Sequence, residues 1–591
     1  MSKEIGFSLV YRDMWQSSGR YVPRVDQLVR VAPAIIDMGC FDRVETNGGA
    51  FEQVNLLFGE NPNKAVRAWT APFQKAGIRT HMLERGLNAL RMNPVPRDVR
   101  ELMYKVKKAQ GVDIARSFCG LNDHRNLQLS VTAAKAAGMI SQAALSITHS
   151  PVHTVDYYLS VVDHLVEYGA DEICLKDMAG IGRPTDLALL TASIKKKYPH
   201  IKVQYHGHCG PGMSPASMLE VARAGADFLD VAVEPLSWGK VHPDVITIRE
   251  MLKSDGFTVK DINMDAYMEV RRLTQEFIDD FLGYWINPSN SQMTSLLVGC
   301  GLPGGMMGSM MADIEPLKIN VTDLFREVEY VWPRLGYPPL VTPFSQYVKN
   351  TSLMNLLAMK QGKPRFSFID KDTMGMILGR MGKLPGELAP EIVEIVRSKG
   401  LEFFTGNPQD EYPDELPKFR SIMQQEGWDP GEDDEELFEL AMHERQYRDY
   451  RSGVAKARFE SELEQQRAKA LAAQSAAAGQ PAAGQPAAGQ AQQASAAGQP
   501  ESDIDKLRAK HPEAVVLQAP VKGKMLWEID VQDVSREPVA GTEVKAGKAF
   551  AYVQAYYGIE EVVPPVSGRV LAVAAHQGDE VAKGQVIALI V

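Results

Sequence analysis

The feature that most constrains this chain is a regular alternation, over residues 4–235, of short runs rich in β-branched residues with amphipathic stretches. Eight such β–α units over about 250 residues are typical of a closed parallel (β/α)8 barrel, or TIM barrel. A doubly wound sheet is the alternative, but it would normally carry a glycine-rich turn where this chain reads YRDMWQ. The predicted strands are Ile5–Tyr11, Arg43–Thr46, Arg79–Leu83, Asp113–Phe118, Ile140–Ile147, Glu172–Lys176, Lys202–His206 and Phe228–Val233.

Composition divides the 591 residues into four regions: a barrel (1–300), a helical domain (301–465), a linker (466–510) and a small all-β domain (511–591). The highly charged segment Glu432–Arg467 predicts an exposed helix. The linker consists mainly of Ala, Gly, Gln and Pro, which leaves few apolar side chains to bury. It is either a flexible tether that lets the small domain move between sites or a passive spacer.

Charge and hydropathy exclude several classes of function. A net charge of −10 argues against binding to nucleic acid through phosphate neutralisation. No apolar run approaches the roughly 20 residues needed to cross a membrane. The first residues, MSKEIGFSLVYRD, lack the apolar core of a signal peptide, so we expect a cytoplasmic protein. The five cysteines form no CxxC pair, and we expect most of them to be buried.

Potential metal ligands follow three of the predicted strands. Asp13 follows the first strand, Lys176 ends the sixth, and His206 and His208 lie at the end of the seventh. Residues i and i+2 of a strand point the same way, so both imidazoles face one side. A lone His-x-His is more often an ordinary polar pair, but Asp13 at another strand end favours a divalent metal site suited to zinc or manganese.

A series of motifs runs in order through residues 4–400. The segments are YRDMWQS (11–17), ARSFCGLNDHRN (115–126), SPVHTVDYY (150–158), ADEICLKDMAG (170–180), HGHCGPG (206–212), GADFLDVAVEPLSWG (225–239), VTPFSQYVKNT (341–351) and GRMGKLPGELAPE (379–391). They resemble the motifs of the carboxyltransferase subunits of the pyruvate carboxylase, oxaloacetate decarboxylase (alpha) and transcarboxylase family, including RDAHQS, KDMAG and HTHATTG. The resemblance implies a metal-dependent enzyme that transfers or removes a carboxyl group of a 2-oxo acid such as pyruvate or oxaloacetate.

The resemblance also implies roles for individual residues. The metal would be bound by Asp13, His206, His208 and a carbamylated Lys176, and would stabilise an enolate as a Lewis acid. Gln16 and Arg85 would hold the carboxylate of the substrate, since arginine offers a bidentate fork. Family members tend to form homodimers. No ATP-driven carboxylase region is present in this sequence, so a biotin carboxylase or carrier subunit would be a separate partner.

The C-terminal domain resembles a biotinyl domain at both of its ends. Counting back from PVSG (565–568) in this sequence, Tyr557 occupies the position of the lysine that carries biotin. A phenol cannot form the amide to biotin, and Lys548 and Lys583 fall on other predicted turns. We therefore expect no covalent biotin on this chain, so that biotin, if it is used, would act in trans.

The predicted substrate site departs from the family as well. The chain reads SWGKVHP (237–243) where the family has SGGTSQP, so Lys240 replaces a threonine that shuttles a proton between biotin and pyruvate. Lys240 could pair with a second substrate carboxylate, serve as an acid, or be a solvated surface lysine. Lys240 is thus a candidate catalytic residue, as are Lys176, Gln16 and Arg85. Trp15, Cys119 and Leu87 replace a histidine, an aspartate and a glutamine, and so make the predicted pocket wall more apolar. We expect that the substrate is not simply pyruvate or that it binds in another orientation.

Three functions remain open from the sequence. The first is a carboxyltransferase or decarboxylase subunit that uses biotin carried by another polypeptide. The second is a biotin-independent metal-dependent barrel lyase, because RDxxQ and HxH also occur in that wider group. The third is a non-catalytic subunit whose biotinyl-like domain docks onto a carboxylase complex.

Overall fold

The structure, a computed structural model, describes residues 3–300, 317, 319–478, 510–527, 538, 540–555, 558–576 and 579–591. The chain divides into two compact units, residues 1–479 and 480–591. Each unit has a hydrophobic core of its own. The first unit contains the regions predicted as barrel and helical domain, and the second contains the region predicted as a small β domain.

Eight parallel strands close into a barrel in chain order. The first strand pairs with the eighth, from Gly6 with Phe228 to Leu9 with Val231. This pairing confirms the predicted barrel and rules out the doubly wound sheet. All eight predicted strands are present, with small differences at their ends: β1 Gly6–Leu9, β2 Phe41–Gly48, β3 Arg79–Glu84, β4 Ile114–Phe118, β5 Ile140–Ser146, β6 Glu172–Asp177, β7 Lys202–Gly207 and β8 Phe228–Val231.

Helices connect the strands and bury one face against them. Several begin at a residue whose side chain accepts a hydrogen bond from the first turn, as Asn61, Thr154 and Asp244 do. The helices are α1 Tyr11–Ser18, α2 Val25–Asp37, α3 Gly49–Phe58, α4 Pro62–Lys75, α5 Arg97–Ala109, α6 Arg125–Ala136, α7 Val155–Glu167, α8 Pro184–Lys197, α9 Ser214–Arg223, α10 Val245–Ser254, α11 Met264–Asp280 and α12 Leu297–Cys300. Short 3₁₀ turns lie at Gly86–Asn88, Leu282–Trp285 and Pro288–Ser291.

Charged and amide side chains occupy part of the barrel interior. Arg43 donates to both carboxylate oxygens of Glu172, at 2.6 and 2.8 Å, and to Gln204 Oε1 at 2.7 Å. Gln142 donates to Glu172 at 2.7 Å and accepts from Arg116 at 2.5 Å. All five residues are buried. Because a buried charge is tolerated only when it is paired and hydrogen-bonded, these contacts hold the interior of the barrel in one arrangement.

Residues 319–478 are helical, which agrees with the prediction up to residue 465, and no strand occurs among the described residues of this region. The helices are α13 Val321–Arg334, α14 Phe344–Lys360, α15 Lys371–Ile377, α16 Pro390–Ser398, α17 Leu416–Glu426, α18 Glu435–Met442, α19 Glu444–Arg451 and α20 Val454–Ala478, with 3₁₀ turns at Pro408–Glu411 and Glu432–Asp434. Over the described part of the chain, no helix combines the length and the hydropathy that a membrane span requires.

The prediction of one exposed helix over Glu432–Arg467 is wrong. This segment forms a 3₁₀ turn and then α18, α19 and the start of α20, and residues 437–442 of α18 are buried. Acidic residues on either side of LFELAM gave the segment the composition of a solvated helix. The burial of Leu437 and Phe438 in the main core explains why this part of the chain packs against the barrel.

A buried polar cluster joins α18 to two barrel helices. The Lys107 ammonium of α5 lies 2.8 Å from Glu52 Oε1 of α3 and 3.5 Å from Glu439 Oε1 of α18, and His443 lies beside them. Burial, followed by the charge of Glu52, raises the pKa of Glu439 well above its ordinary value. The raised pKa favours the neutral form of Glu439 beside the Lys107–Glu52 ion pair.

The last helix runs into the region predicted as the linker. Helix α20 continues to Ala478, so the flexible tether predicted from residue 466 is helical at its start. Its Ala, Glu, Gln, Arg and Lys residues have high helix propensity, which outweighs the lack of large apolar side chains. Residues 479–509 of the predicted linker lie outside the described residues.

The second unit contains two four-stranded sheets, ordered β13-β12-β10-β15 and β11-β14-β16-β9. Their core includes Met525, Trp527, Val553 and Ile587. The strands are β9 Val515–Gln518, β10 Gly523–Leu526, β11 Glu543–Val544, β12 Ala551–Ala555, β13 Gly558–Val562, β14 Gly568–Val573, β15 Glu580–Val581 and β16 Val586–Ile590. Tyr557, predicted at the biotin-lysine position, lies outside the described residues. The assignment as a biotinyl-like domain stays a prediction.

Replacing Lys107 by methionine should destabilise the first unit by about 3–5 kcal/mol, because the Glu52 carboxylate would stay buried without its cation. Replacing Glu439 by glutamine should cost much less, since burial favours the neutral form of this carboxyl group and glutamine is neutral and of similar size. Denaturant unfolding of both variants at pH 7 checks the difference. Equal losses of stability would contradict this account of the cluster.

The unaltered protein and the Glu439→Gln variant also provide a test of the cluster through the pH dependence of stability. The folded state binds the Glu439 proton more tightly than the unfolded state does, so this contribution to stability is complete below the unfolded pKa. It is lost as the pH rises through the raised folded pKa. Glu439→Gln should remove this part of the pH dependence of the free energy of unfolding, which denaturant unfolding at several pH values measures.

Candidate metal centre and active site

Four potential metal ligands converge at the carboxyl ends of the barrel strands. The ligand atoms of Asp13, His206, His208 and His242 all lie within 4.8 Å of one another. Asp13 Oδ2 is 3.4 Å from His208 Nε2 and 3.9 Å from His206 Nε2. All four residues are buried. The structure therefore brings together three of the predicted ligands, and it adds His242.

The local fold explains how the ligands meet. Helix α1 begins at Tyr11, two residues after β1 ends, so Asp13 lies in the first helical turn above the barrel. His206 lies within β7, and His208 follows the strand. The backbone N–H of His208 donates to the carbonyl of Asp177 in β6 at 3.1 Å. This bond fixes the chain just beyond β7, and the rings of the two histidines lie 5.1 Å apart.

Hydrogen bonds orient two of the imidazoles. His206 Nδ1 lies 2.6 Å from Asp230 Oδ2, and His208 Nδ1 lies 2.9 Å from the carbonyl oxygen of Lys240. The carbonyl oxygen of Lys240 can only accept, so His208 carries its proton on Nδ1 and has a lone pair on Nε2. The short contact with the Asp230 carboxylate favours the same tautomer for His206. A metal-binding histidine needs this tautomer, and such partners position the ring.

The electrostatics of the cluster suit a divalent metal ion. Burial lowers the pKa of His208 to about 3 and that of His206 well below its ordinary value, so both rings are neutral. Burial favours protonation of Asp13, but its hydrogen bond with His242 and the nearby Arg12 hold its pKa well below the usual range. Neutral imidazoles and one carboxylate form a donor set that fits zinc and related ions.

Lys176 lies beside these ligands. Its Nζ is 3.2 Å from His206 Nε2 and 5.5 Å from the centre of the Phe118 ring. Burial lowers the pKa of Lys176 to about 8, and the charge of Asp13 opposes this shift. All four residues predicted as ligands, Asp13, Lys176, His206 and His208, therefore lie at one place.

His242 is a site residue that the sequence analysis did not predict. It lies in the loop after β8, and its Nε2 is 3.1 Å from Asp13 Oδ2. Its ring centre is 4.3 Å from the centres of both His206 and His208. The signal in the sequence was a histidine in the loop that follows the last barrel strand.

Arg116 and Asp230 were also missed. Arg116 Nη1 lies 2.5 Å from Asp230 Oδ2 and 3.2 Å from His206 Nδ1, and both residues are buried. Burial raises the pKa of Asp230, but the charge of Arg116 outweighs this and keeps it below its ordinary value. An arginine in the middle of a predicted barrel strand, as in IARSF, was the available signal.

The residues predicted to bind substrate, Gln16 and Arg85, follow β1 and β3. Arg85 follows β3, and among the described residues no carboxylate lies within ion-pair distance of its guanidinium. Burial lowers its pKa to about 10, so it remains a cation at neutral pH. A Cβ added to Gly49 would clash with Arg85 Nη1, so glycine at this position makes room for the arginine. Gln16 is exposed on α1 and accepts a hydrogen bond from Arg12.

Lys240 is buried in the loop after β8. Its Nζ donates to Asn290 Oδ1 at 3.2 Å, while its carbonyl oxygen holds His208. In the part of the chain that the structure describes, no carboxylate pairs with this ammonium group. The solvated surface lysine considered from the sequence is therefore wrong, and a catalytic role stays a prediction.

The three apolar replacements are all buried. Trp15, Leu87 and Cys119 have between 1% and 4% of their surface exposed. Burial raises the pKa of the Cys119 thiol to about 11, so it is uncharged. Its sulfur accepts a hydrogen bond from Asn126 at 3.3 Å. These residues contribute packing and no charge to the surroundings of the site.

Comparisons with known proteins show which proteins this chain resembles. Residues 299–493 match the family described as "Conserved carboxylase domain". The chain is 30% identical over 427 residues to a pyruvate carboxylase subunit of Methanocaldococcus jannaschii, covering 71% of this chain and 72% of that protein. It is 26% identical over 601 residues to the 2-oxoglutarate carboxylase large subunit of Hydrogenobacter thermophilus, covering 96% and 86%. The carboxyl transferase domain of Rhizobium etli pyruvate carboxylase has the same fold, with a TM-score of 0.68 at 20% identity, covering 77% of this chain and 78% of that one.

The bond between His206 and Asp230 generates a prediction about metal affinity. Asp230→Asn keeps the size of the side chain but removes the charge that orients the His206 ring, so zinc affinity should fall by about 10- to 100-fold. Competition with a chromophoric chelator measures this change. Asp163→Asn, which alters a carboxylate bonded to Lys197 on the surface, is the matched control. Equal zinc affinity in the unaltered protein and in both variants would show that Asp230 does not position His206.

Proposed function

This chain belongs to the carboxyltransferase family of pyruvate carboxylase, and we propose that it is a metal-dependent carboxyltransferase or decarboxylase subunit acting on a 2-oxo acid. The observation that carries the proposal is the buried group Asp13, His206 and His208 at the carboxyl end of the barrel. The cationic Arg85, which has no carboxylate partner in the described part of the chain, supports it. Substrate sites of such barrels lie at this end.

Different side chains of the site would bind different parts of the substrate. Asp13, His206 and His208 would hold a divalent ion, zinc or manganese, which supplies Lewis-acid polarisation of the 2-oxo group. Lys176, as the carbamate that the family resemblance implies, would be the fourth ligand. Arg85 would pair with the carboxylate next to that group through two parallel hydrogen bonds. Gln16, exposed on α1, would contact the same carboxylate as a neutral donor. Asp230 and Arg116 would keep the His206 ring in place.

Lys240 supports a substrate with a second carboxylate. A buried ammonium group whose bond is to the neutral Asn290 gains stability when an anion approaches it. Oxaloacetate and other 2-oxo dicarboxylic acids carry such a group, whereas pyruvate does not. The similarity to a 2-oxoglutarate carboxylase subunit over 96% of this chain favours the same class. The proposed substrate is therefore a 2-oxo dicarboxylic acid, or a 2-oxo acid that becomes one on carboxylation.

Under this proposal, biotin would act in trans. Tyr557 stands at the position of the biotin lysine in the sequence, so a carboxylated biotin would come from a separate carrier or biotin carboxylase subunit. Assembly as a homodimer and a cytoplasmic location stay predictions. The biotin-independent lyase and the non-catalytic subunit are the competing functions.

Decay of oxaloacetate separates these three functions. The zinc- or manganese-loaded full chain should decarboxylate oxaloacetate, and addition of free biotin should raise the rate because biotin accepts the carboxyl group. A rate that is the same with and without biotin would favour the lyase. Absence of decay under both conditions would contradict an enzymatic role.

Arg85 provides the matched variants for this assay. Arg85→Met should lower kcat/KM by about 100-fold, because a charged hydrogen bond to the substrate is worth roughly 1.5–3 kcal/mol. Arg85→Lys should recover part of this loss through charge alone. Arg272→Met, which changes an exposed arginine of α11, should leave the rate unchanged. If Arg85→Met matched the unaltered protein, Arg85 would not bind the substrate.

A further inference from the structure

A cavity of about 250 Å³ lies between the beginnings of α7 and α8. The loop after β5 contributes Thr148 and His153 to its wall, and the loop after β6 contributes Arg183. Among the described residues that line it there is no candidate metal ligand, and Arg85 and Lys240 lie elsewhere. The cavity is therefore separate from the site at which the 2-oxo acid is proposed to bind.

Hydrogen bonds fix the tautomer of His153. Its Nδ1 lies 2.7 Å from Ser150 Oγ, and the same oxygen accepts from the backbone N–H groups of Val152 and His153 at 3.1 and 3.2 Å. A hydroxyl has two lone pairs and one proton, so Ser150 donates its proton to Nδ1. Burial lowers the pKa of His153 to about 3. The ring is therefore neutral, with its own proton on Nε2.

Two buried polar groups of the cavity wall have no partner. His153 Nε2 and Thr148 Oγ1 make no hydrogen bond within the part of the chain that the structure describes, and the two residues are 7% and 5% exposed. The hydroxyl of Tyr158 accepts from the backbone N–H of Thr148 at 2.9 Å and so holds this residue in place. Because a buried donor without an acceptor destabilises the folded state, a ligand that accepts from both groups is favoured.

Positive charge borders the same cavity. Arg183 is half-buried, and its Nη1 donates to the neutral carbonyl of Ile181 at 3.0 Å. Over the described ranges, no carboxylate lies within ion-pair distance of its guanidinium. Helices α7 and α8 both begin here, so the positive ends of their dipoles add to this charge. Asp186, exposed in the first turn of α8, opposes it in part.

The rest of the wall is largely apolar. Val155, Leu187 and Leu190 lie along it. A water molecule occupies about 30 Å³ in the liquid, so the cavity has room for a molecule several times that size. A ligand that fits carries a negatively charged acceptor at one end and a short apolar group at the other.

We propose that this cavity binds a small monocarboxylic acid, whose carboxylate accepts from His153 Nε2, Thr148 Oγ1 and the guanidinium of Arg183. The loops that form the cavity are bonded to the end of β6. The backbone N–H of Ile147 donates to the carbonyl of Lys176 at 2.9 Å, and that of Gly182 donates to Asp177 Oδ2 at 2.8 Å. The carboxylate site thus adjoins the metal centre through the main chain without sharing a side chain with it.

Fluorine NMR of 4,4,4-trifluorobutyrate titrated with the full chain provides the test. The amide of the same acid, which has the same shape and no charge, is the matched probe. The carboxylate should bind saturably, and the amide at least about 10-fold more weakly because it cannot pair with Arg183. Arg85→Met is titrated beside the unaltered protein, since Arg85 is the other proposed carboxylate site, and it should keep this binding.

Two variants remove single contacts. Arg183→Met should weaken binding of the carboxylate by at least about 10-fold, and Thr148→Val should weaken it by about 10-fold, because each removes a hydrogen bond to a charged group. Thr148→Val should not lower the free energy of unfolding, since the hydroxyl that it removes has no partner. Arg272→Met and Thr185→Val, which change exposed residues, are the controls and should bind as the unaltered protein does.

Absence of saturable binding to both the unaltered protein and Arg85→Met would overturn the inference. Binding that is lost in Arg85→Met and kept in Arg183→Met would also overturn it, because the probe would then occupy the proposed substrate site. Equal binding of the amide would contradict the carboxylate as the ligand class. The decay of oxaloacetate tests the proposed function separately, so these results leave that function standing.

Discussion

The pairing of β1 with β8 is the constraint on which the site depends. It closes the sheet and brings the residues just beyond both strands to the same end of the barrel. Asp13, which follows β1, can then lie 3.1 Å from His242, which follows β8 and is 229 positions away in sequence. His206 reaches the same point from the neighbouring β7. Without closure, the ligands at the two edges of the sheet would be on opposite sides of the molecule.

Closure also produces an interior that must accommodate charge. Arg43 and Glu172 neutralise one another near the amino ends of the strands, and Arg116 and Asp230 do so closer to the ligands. Burial makes these pairs depend on each other, because removing either partner leaves an uncompensated charge. The Arg116–Asp230 pair holds the His206 ring through Nδ1. A network of paired charges inside the barrel thus fixes the direction of a metal ligand.

The sequence predicted the barrel well because period and spacing are local signals: all eight strands lie where β-branched runs were seen. It also placed Asp13, Lys176, His206 and His208, since each adjoins a strand end. His242 was missed because it lies in a loop beyond the last strand. The burial of α18 was missed because its position depends on contacts with Lys107 and Glu52, which are distant in sequence. Such long-range pairings leave no periodic pattern.

The residues at the carboxyl end of the barrel are proposed to hold a metal ion where a 2-oxo acid binds. Anomalous diffraction from crystals of the zinc-loaded full chain, grown with the unreactive analogue oxamate, tests it most directly. One strong zinc peak is expected within bonding distance of Asp13, His206 and His208, with oxamate next to it and its carboxylate at Arg85. A peak elsewhere, or none at this cluster in zinc-saturated crystals, would contradict this assignment of the site.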